Sequence, residues 1–314
     1  MWENFPLFPE AASTAASRVD RLFFFILIVC AFFTLLIFTL VFTFAIRYRR
    51  RSPSERPRPI SGSLRLEIVW SLVPLAIAMV IFAWGSRLYV ALARPPAEAL
   101  HIFVVGKQWM WKFQHIEGQR EINELHVPVG KPVRLTMSSE DVIHSLFVPA
   151  FRVKTDVLPG RYTRMWFEAT KPGTYHLFCA EYCGTSHSEM RGRVVVMEPA
   201  RFQEWLGGGR AGESLEARGA QLFAQLGCAS CHEPAPGARG PSLVGLFGKT
   251  VELQGGGSVT ADETYLRESI VNPQAKIVSG FQPIMPTYAG QVSEEGLLQL
   301  VVYIMSLEEK AARK

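Results

Sequence analysis

The sequence is short of cysteine, and its two longest apolar stretches hold no histidine. Five cysteines in 314 residues exclude a scaffold that depends on many disulfides. The apolar stretches cover residues 22–46 and 68–93, and Arg87 is the one charged residue in them. Without histidine, they offer no imidazole ligand to a haem or a metal ion inside a membrane. The residues that carry chemistry must therefore lie elsewhere in the chain.

The two apolar stretches predict a transmembrane hairpin, because about 20 apolar residues suffice to cross a bilayer. A buried core helix is the alternative, although uncharged stretches of this length rarely form one. Segment 1–94 is therefore expected to hold two spans, at about residues 22–46 and 67–93.

Charges beside the spans predict their orientation. The loop between the spans holds seven arginines, whereas the N-terminal flank has only Arg18 and Arg21, which three acidic residues offset. The positive-inside rule therefore places the loop in the cytoplasm. Both termini are then expected on the periplasmic side of a bacterial inner membrane. Most of the net charge of +5 lies in this loop and does not indicate nucleic-acid binding.

Residues 95–206 change to short apolar runs with alternation and turn signals such as Pro159-Gly160. Many short strands at this spacing predict an antiparallel β-sandwich or barrel. The expected strands are residues 101–105, 109–115, 121–127, 133–137, 145–148, 161–168, 174–178 and 193–198.

Residues 207–212 are rich in glycine and are expected to form a flexible linker. The pattern beyond them, in residues 213–314, is helical. Helices are expected at 213–225, at 261–270 with acidic residues in its first turn, and from Ser293 onward. Roughly 100 residues make a small all-α domain, to whose core a bound cofactor would add.

Cys228-Ala-Ser-Cys231-His232 has the spacing of a covalent c-type haem attachment site. Two thiols at this spacing bond the vinyl groups of one haem, and the next histidine is placed to ligate iron. A zinc half-site or a redox dithiol is the alternative, but zinc would require a second Cys or Cys/His pair nearby. Covalent haem attachment normally takes place outside the cytoplasm, in agreement with the predicted orientation.

A haem that transfers electrons usually has histidine and methionine as its axial ligands. The C-terminal region holds two methionines, Met285 and Met305. Met305 lies among apolar residues of the last expected helix, which is typical of core packing. Met285 lies in a proline-rich loop that would hold a ligand rigidly. His232 and Met285 are therefore the expected axial pair.

A second cluster of metal ligands follows an expected strand. Cys179, Cys183, His187 and Met190 lie within twelve residues. Thiolate, imidazole and thioether form a soft set that favours copper, and two thiolates can bridge two copper ions. A second histidine would have to come from elsewhere, and His144 is the candidate. A disulfide and a zinc site are the alternatives, but a disulfide does not require the histidine and methionine, and zinc rarely binds methionine.

The span hairpin, the β region and the segment Cys179–Met190, called the copper loop below, resemble subunit II of haem–copper oxygen reductases over roughly residues 20–200. Together with the haem domain, the chain resembles the caa3-type cytochrome c oxidases. The resemblance implies a cupredoxin-like β-sandwich or barrel and a class I cytochrome c domain in a multidomain membrane protein. Its motifs are Glu67-Ile-Val-Trp70, Gly106-Lys-Gln-Trp109-Met-Trp111, His144-Ser-Leu-Phe-Val-Pro149, Lys154-Thr-Asp-Val-Leu-Pro-Gly-Arg161 and the copper loop.

The resemblance implies a dinuclear CuA centre in which Cys179 and Cys183 bridge two copper ions. It makes His144 and His187 the histidine ligands. Met190 is a weak ligand, and the backbone carbonyl of Glu181 is the sixth. The Glu181 carboxylate would reach a magnesium or manganese ion at the interface with subunit I.

Two further roles are implied by the resemblance alone. Trp109 matches the aromatic residue where electrons enter, although the family commonly has histidine where Lys107 stands. Glu67 matches an acidic residue at the entrance of a proton channel. The alternatives are a packed aromatic side chain for Trp109, as for Trp111, and a solvated carboxylate at a helix N-terminus for Glu67.

The expected function is electron entry into a terminal oxidase: haem c to CuA, then to haem and copper of subunit I, where O₂ is reduced and protons are pumped. The expected partners are subunit I, subunit III, membrane lipid and a periplasmic donor such as a small cytochrome c. A copper-containing nitric oxide reductase subunit and a stand-alone membrane electron carrier are the alternatives. The nature of the partner subunit would distinguish all three.

Overall fold

The structure, a computed structural model, describes residues 9–56, 62–208, 214–233 and 238–312. Residues 14–94 form one compact unit. The described residues from Pro95 onward, with the short segment that ends at Ser13, form the other.

The first unit is a helical hairpin of α1 (Thr14–Arg47) and α2 (Leu64–Ala93). Both helices are long and apolar enough to cross a membrane, and both contain the predicted spans. The rings of Phe25 and Trp84 lie 5.7 Å apart, and Leu22 lies beside Gly85, so the helices contact each other along these positions. Most of their other large apolar side chains are exposed, as expected for helices that face lipid.

The β region is a sandwich of two five-stranded sheets, which confirms the predicted architecture. The first sheet has the order β3-β2-β1-β5-β8 and the second the order β4-β10-β9-β6-β7. Fully buried aromatic and aliphatic residues fill the space between them, among them Trp111, Phe113, Leu135 and Leu146. The strands are β1 Leu100–Lys107, β2 Met110–His115, β3 Arg120–Ile122, β4 Glu124–Pro128, β5 Pro132–Ser139, β6 His144–Val148, β7 Val153–Val157, β8 Thr163–Glu168, β9 Gly173–Cys179 and β10 Arg191–Met197.

The sheets differ from the prediction in three respects. The pairs β1–β5 and β4–β10 are parallel, so the expectation of a wholly antiparallel sandwich was wrong. The predicted strand 121–127 is two strands, because Asn123 adopts a left-handed conformation (φ 58°) that interrupts it. Strand β7 was not predicted, since the middle of Val153–Val157 is polar.

A helix occupies the start of the predicted linker. Helix α3 covers Pro199–Gly208, so Gly207 and Gly208 belong to a helix and the linker prediction was wrong for these two residues. Residues 209–212 lie outside the described residues, as does Glu213, where the next helix was predicted to begin.

The C-terminal part is built on α4 (Leu215–Gln225), α6 (Glu263–Val271) and α7 (Glu294–Ala312), close to the three predicted helices. A one-turn helix, α5 (Ala229–His232), carries most of the haem motif, and a two-stranded hairpin that was not predicted joins α5 to α6. Ser214 and Asp262 cap α4 and α6 by accepting hydrogen bonds from backbone N–H groups. The hairpin strands are β11 Thr250–Glu252 and β12 Ser258–Thr260.

The crossing of α4 and α7 depends on Gly219. A Cβ atom there would lie 2.0 Å from the backbone oxygen of Gln299. We expect Gly219→Ala to separate the helices and destabilise the domain by about 2 kcal/mol or more, measured by thermal unfolding. Gly255→Ala is the control, because a Cβ there would meet nothing within 4 Å. Equal melting temperatures for the two variants would contradict the prediction.

Candidate functional site

The predicted copper ligands converge at one end of the sandwich. Cys179 ends β9, His144 begins β6, and the loop between β9 and β10 supplies the other residues. The Sγ of Cys179 lies 3.9 Å from Nδ1 of His144, and the Sγ of Cys183 lies 3.4 Å from Nδ1 of His187. The two sulfur atoms are 3.8 Å apart, and Sδ of Met190 lies 3.7 Å from Cys183.

The geometry fits a metal centre better than a disulfide. A disulfide requires sulfur atoms about 2.05 Å apart, and all five cysteines, which lie in the described part of the chain, are free. The ligand atoms of His144, Cys179 and Cys183 lie within 4.8 Å of one another, and all three side chains are buried. Burial of soft ligands around a common point favours a transition-metal ion over an exchangeable thiol pair.

Hydrogen bonds hold the ligands in this orientation. The carboxylate of Asp141 lies 2.9 Å from Nε2 of His144, which directs Nδ1 toward the sulfur atoms. The side chains of Gln108 and Trp109 donate to the carbonyl oxygen of Cys183, at 2.8 and 3.3 Å. These contacts fix both a histidine ring and the backbone of a cysteine before any metal binds.

The two thiols differ in acidity. Burial alone would raise the pKa of Cys179, but hydrogen bonds with His144 and with the backbone outweigh burial and lower it to about 7. Burial and the neighbouring charge of Cys179 raise the pKa of Cys183 to about 12. Because the charge of Cys179 holds the proton on Cys183, a cation that binds both sulfur atoms must displace that proton.

The donors present match those that two copper ions would require. Besides two thiols, two imidazoles and a thioether, the carbonyl oxygen of Glu181 lies 3.2 Å from Sγ of Cys179. The Glu181 side chain points to the exposed surface. All six predicted ligands are thus brought together, and their assignment as copper ligands stays a prediction.

The predicted haem residues line one cavity of about 440 Å³ in the C-terminal domain. Its walls are mainly apolar, and Cys228, Cys231, His232 and Met285 all contribute to them. An apolar cavity beside a Cys-x-x-Cys-His segment fits a covalently attached macrocycle. Met305 packs in the domain core outside the lining of this cavity, which favours Met285 as the second ligand.

The ring of His232 is held for ligation. Its Nδ1–H donates to the carbonyl oxygen of Pro241 over 2.8 Å, which leaves Nε2 as the atom available to iron. A Cβ atom at Gly240 would lie 2.9 Å from Cε1 of the ring, so only glycine fits at this position without displacing the ring.

Trp109 and Glu67 lie outside both ligand sets. Trp109 is half-buried and touches the copper loop through its hydrogen bond to Cys183. Trp111 is fully buried, 5.8 Å from the ring of His144, as a packed aromatic would be. Glu67 lies exposed in the first turn of α2. Electron entry at Trp109 and proton entry at Glu67 stay predictions.

Sequence reasoning missed the residues that orient the ligands. Asp141, Gln108 and Pro241 hold His144, Cys183 and His232 respectively. Asp141 precedes His144 by three residues, and this spacing was the available signal. Pro241 lies nine residues after His232, and Gln108 is distant from Cys183 in sequence, so neither contact has a signal in the sequence.

Comparison with known families agrees with each part of the chain. The transmembrane domain of cytochrome c oxidase subunit II matches residues 1–87, and its periplasmic domain matches residues 118–198. The family described as cytochrome c oxidase, cbb3-type, subunit III matches residues 214–304.

Individual relatives give the same result. Cytochrome c oxidase subunit 2 of Alkalihalophilus pseudofirmus is 30% identical and aligns over 90% of this chain and 85% of its own length. The subunit 2 of Thermostichus vulcanus is 32% identical over 63% of this chain and 77% of its own. A crystal structure of the periplasmic domain of subunit II of cytochrome oxidase from Bradyrhizobium japonicum covers 37% of this chain and 97% of that one, at 33% identity and a TM-score of 0.36.

These matches imply a copper centre in the β-sandwich, haem c in the C-terminal domain and two membrane spans. The chain belongs to the cytochrome c oxidase subunit II family and carries a fused cytochrome c domain, which makes it part of a haem–copper terminal oxidase whose subunit I is its partner.

Proposed function

We propose that this chain is the electron-entry subunit of a caa3-type cytochrome c oxidase. The observation that carries the proposal is the presence, in one subunit II chain, of a clustered set of soft ligands and a separate haem cavity. When bound, haem c and a dinuclear copper centre supply one-electron redox chemistry. Electrons would enter at the haem, continue to the copper pair and leave for subunit I, where O₂ is reduced to water with proton pumping.

The residues of this chain position the groups and exclude water from them. Burial of His144, Cys179, Cys183 and Met190 keeps the copper ligands out of solvent. The hydrogen bond that Nε2–H of His144 donates to Asp141 fixes one imidazole, which limits motion of the ligands when charge changes. Met285 and His232 both line the haem cavity, and a thioether beside an imidazole would suit a haem that transfers electrons more than one that binds O₂.

Further features belong to this proposal. The termini and both cofactor domains (about 95–206 and 213–314) lie on the periplasmic side of the bacterial inner membrane, as the arginine-rich loop indicates. Subunit III and a small periplasmic donor complete the assembly. The exposed carboxylate of Glu181 would contact magnesium or manganese at the interface with subunit I. Trp109 and Glu67 would serve electron and proton entry.

Purification of the chain in mild detergent tests the function. We expect it to copurify with a large subunit that holds two further haems and a copper ion, and to oxidise a reduced donor with O₂ consumption. A chain that purifies alone would support a stand-alone carrier and end the proposal. A partner that holds non-haem iron in place of copper would indicate a nitric oxide reductase.

The ligand role of Cys183 is tested by its replacement. Cys183→Ser should abolish the mixed-valence EPR signal of a copper pair, because one bridging thiolate is lost. Cys30→Ser is the matched control, since Cys30 lies exposed on α1, outside both ligand sets. Retention of the spectrum in Cys183→Ser would remove this residue from the ligand set.

The axial role of Met285 has its own spectroscopic signature. Met285→Ala should erase the weak long-wavelength absorption band between thioether sulfur and ferric iron, and should lower the reduction potential of the haem. Met305→Ala should keep the band, because Met305 packs in the core. The reverse pattern would make Met305 the ligand.

A further inference from the structure

The outer face of the first sheet is buried, although a sandwich alone would leave it in water. Strand β1 buries Ile102 and Val104 toward the sandwich core and Phe103 and Val105 on the opposite side. In β5, Thr136 and Ser138 are likewise buried on the outer side. One-sided burial is usual for a sandwich sheet with two solvated outer faces, so this outer face has a partner.

The partner is the cytochrome c domain of the same chain. Its helices α4 and α7 press apolar side chains onto the sheet, and the two sides form one buried cluster. We call this cluster the docking patch. It consists of Phe103, Val105 and Tyr162 from the β-sandwich and Leu215, Leu298 and Val302 from the cytochrome domain.

An ionic contact lies beside the docking patch. Glu263, in the first turn of α6, is 3% exposed and meets two arginines of the sheet. Its carboxylate oxygens lie 2.5 Å from Nη2 of Arg164 and 3.4 Å from Nη2 of Arg134. A carboxylate this deeply buried requires such partners. Because Arg134 lies in β5 and Arg164 in β8, two neighbouring strands together fix its position on the sheet.

His101 supports this contact from the sheet side. Its ring accepts a hydrogen bond from Arg134 at Nδ1 and donates from Nε2 to Thr136, both over 2.8 Å. Burial and the two nearby arginines, Arg134 and Arg164, lower the pKa of His101 to about 3, so it stays neutral and able to accept. Arg134 is thereby oriented toward Glu263.

A second polar contact joins Arg267 to the sandwich. Its guanidinium donates to the carbonyl oxygen of Gly160 over 2.7 Å and lies over the ring of Tyr162. The same group pairs with Glu294, which accepts from Ser138 on β5 over 3.2 Å. Helix α6 thus binds the loop that contains Gly160, and helix α7 binds strand β5.

The haem cavity has walls from the cytochrome domain alone. Within the described residues, its lining starts at Phe223 and ends at Ile304, with no contribution from the sandwich or from the docking patch. Leu215 enters the docking patch at the start of α4, whereas Phe223, two turns later, lines the cavity. Docking therefore leaves the haem cavity uncovered by the sandwich.

We propose that the cytochrome domain is clamped on the outer face of the first sheet in one orientation, and that a donor reaches its haem without undocking. The apolar patch provides the attachment, and the contacts of Glu263 and Arg267 set the orientation. The linker then only joins the domains and does not carry a mobile haem between two positions. Docking itself does not rest on the proposed electron-relay function. Delivery of electrons from a donor to the docked haem does.

Distances between two nitroxide labels in the purified membrane complex test the clamp. Glu117→Cys and Ser258→Cys place exposed labels on the sandwich and on the cytochrome domain, at positions that do not belong to the docking patch. Pulsed EPR should give one narrow distance distribution. A broad distribution in the otherwise unmodified chain would overturn the proposal, because it is the signature of a tethered, mobile domain.

Charge reversal identifies the residues responsible. Glu263→Lys puts a third cation beside Arg134 and Arg164, so the narrow distribution should be lost. Glu268→Gln is the control on the same helix, because Glu268 pairs with Lys276 inside the cytochrome domain. It should leave the distribution narrow.

A variant in the sandwich separates undocking from misfolding of the haem domain. Phe103→Glu leaves the cytochrome sequence intact and should also broaden the distribution, while the absorption spectrum of the haem stays unchanged. A narrow distribution in both Glu263→Lys and Phe103→Glu would overturn the clamp. A narrow distribution in an unmodified complex that lacks oxidase activity would uphold docking and reject the proposed function.

Discussion

Strand β1 has no face in water, and both cofactor domains depend on this constraint. It lies inside the first sheet, antiparallel to β2 and parallel to β5. Its inward side chains form the core of the sandwich, and its outward side chains enter the docking patch. A strand buried on both sides is expected to be largely apolar, and His101–Gly106 reads His-Ile-Phe-Val-Val-Gly. The histidine at its start is accommodated by hydrogen bonds at both ring nitrogens.

The same strand also contacts the copper site. Gly106 lies at its end, where a Cβ atom would come within 2.9 Å of the ring of His144. The next residues turn back, so that Gln108 and Trp109 hold the carbonyl of Cys183. The strand that supports the cytochrome domain thus ends beside His144, a predicted copper ligand. Because β1 is rigidly packed, this one strand fixes the positions of both the docking patch and the predicted copper site.

Sequence predicted the two helices, the sandwich and the local part of each ligand cluster, because these depend on local signals. Long uncharged runs, alternation of apolar and polar residues and short-range ligand spacing can be recognised whatever the tertiary structure around them. The parallel pairing of β1 with β5 has no such signal, since it joins residues far apart in sequence. Strand β7 was not predicted, because only the valines at its two ends are buried. Gly207 indicated a linker, yet it belongs to helix α3.

The domain contact was invisible in the sequence for a further reason. Acidic residues in the first turns of α6 and α7 have a sufficient local explanation in the helix dipole. Only the fold shows that Glu263 and Glu294 also meet Arg134, Arg164 and Ser138 across the domain boundary. A residue with one adequate local role gives no sign of a second, distant one.

Apolar and ionic contacts contribute differently to this boundary. Removal of Phe103, Val105 and Leu298 from water favours association in any orientation, because burial of apolar surface is non-directional. An ion pair that loses its hydration returns little net free energy, but a misplaced partner leaves a buried charge unpaired, which is costly. Glu263 therefore contributes mainly to the choice of orientation. Because covalent linkage already removes most of the entropic cost of association, a patch of six residues suffices where two separate proteins would need a larger one.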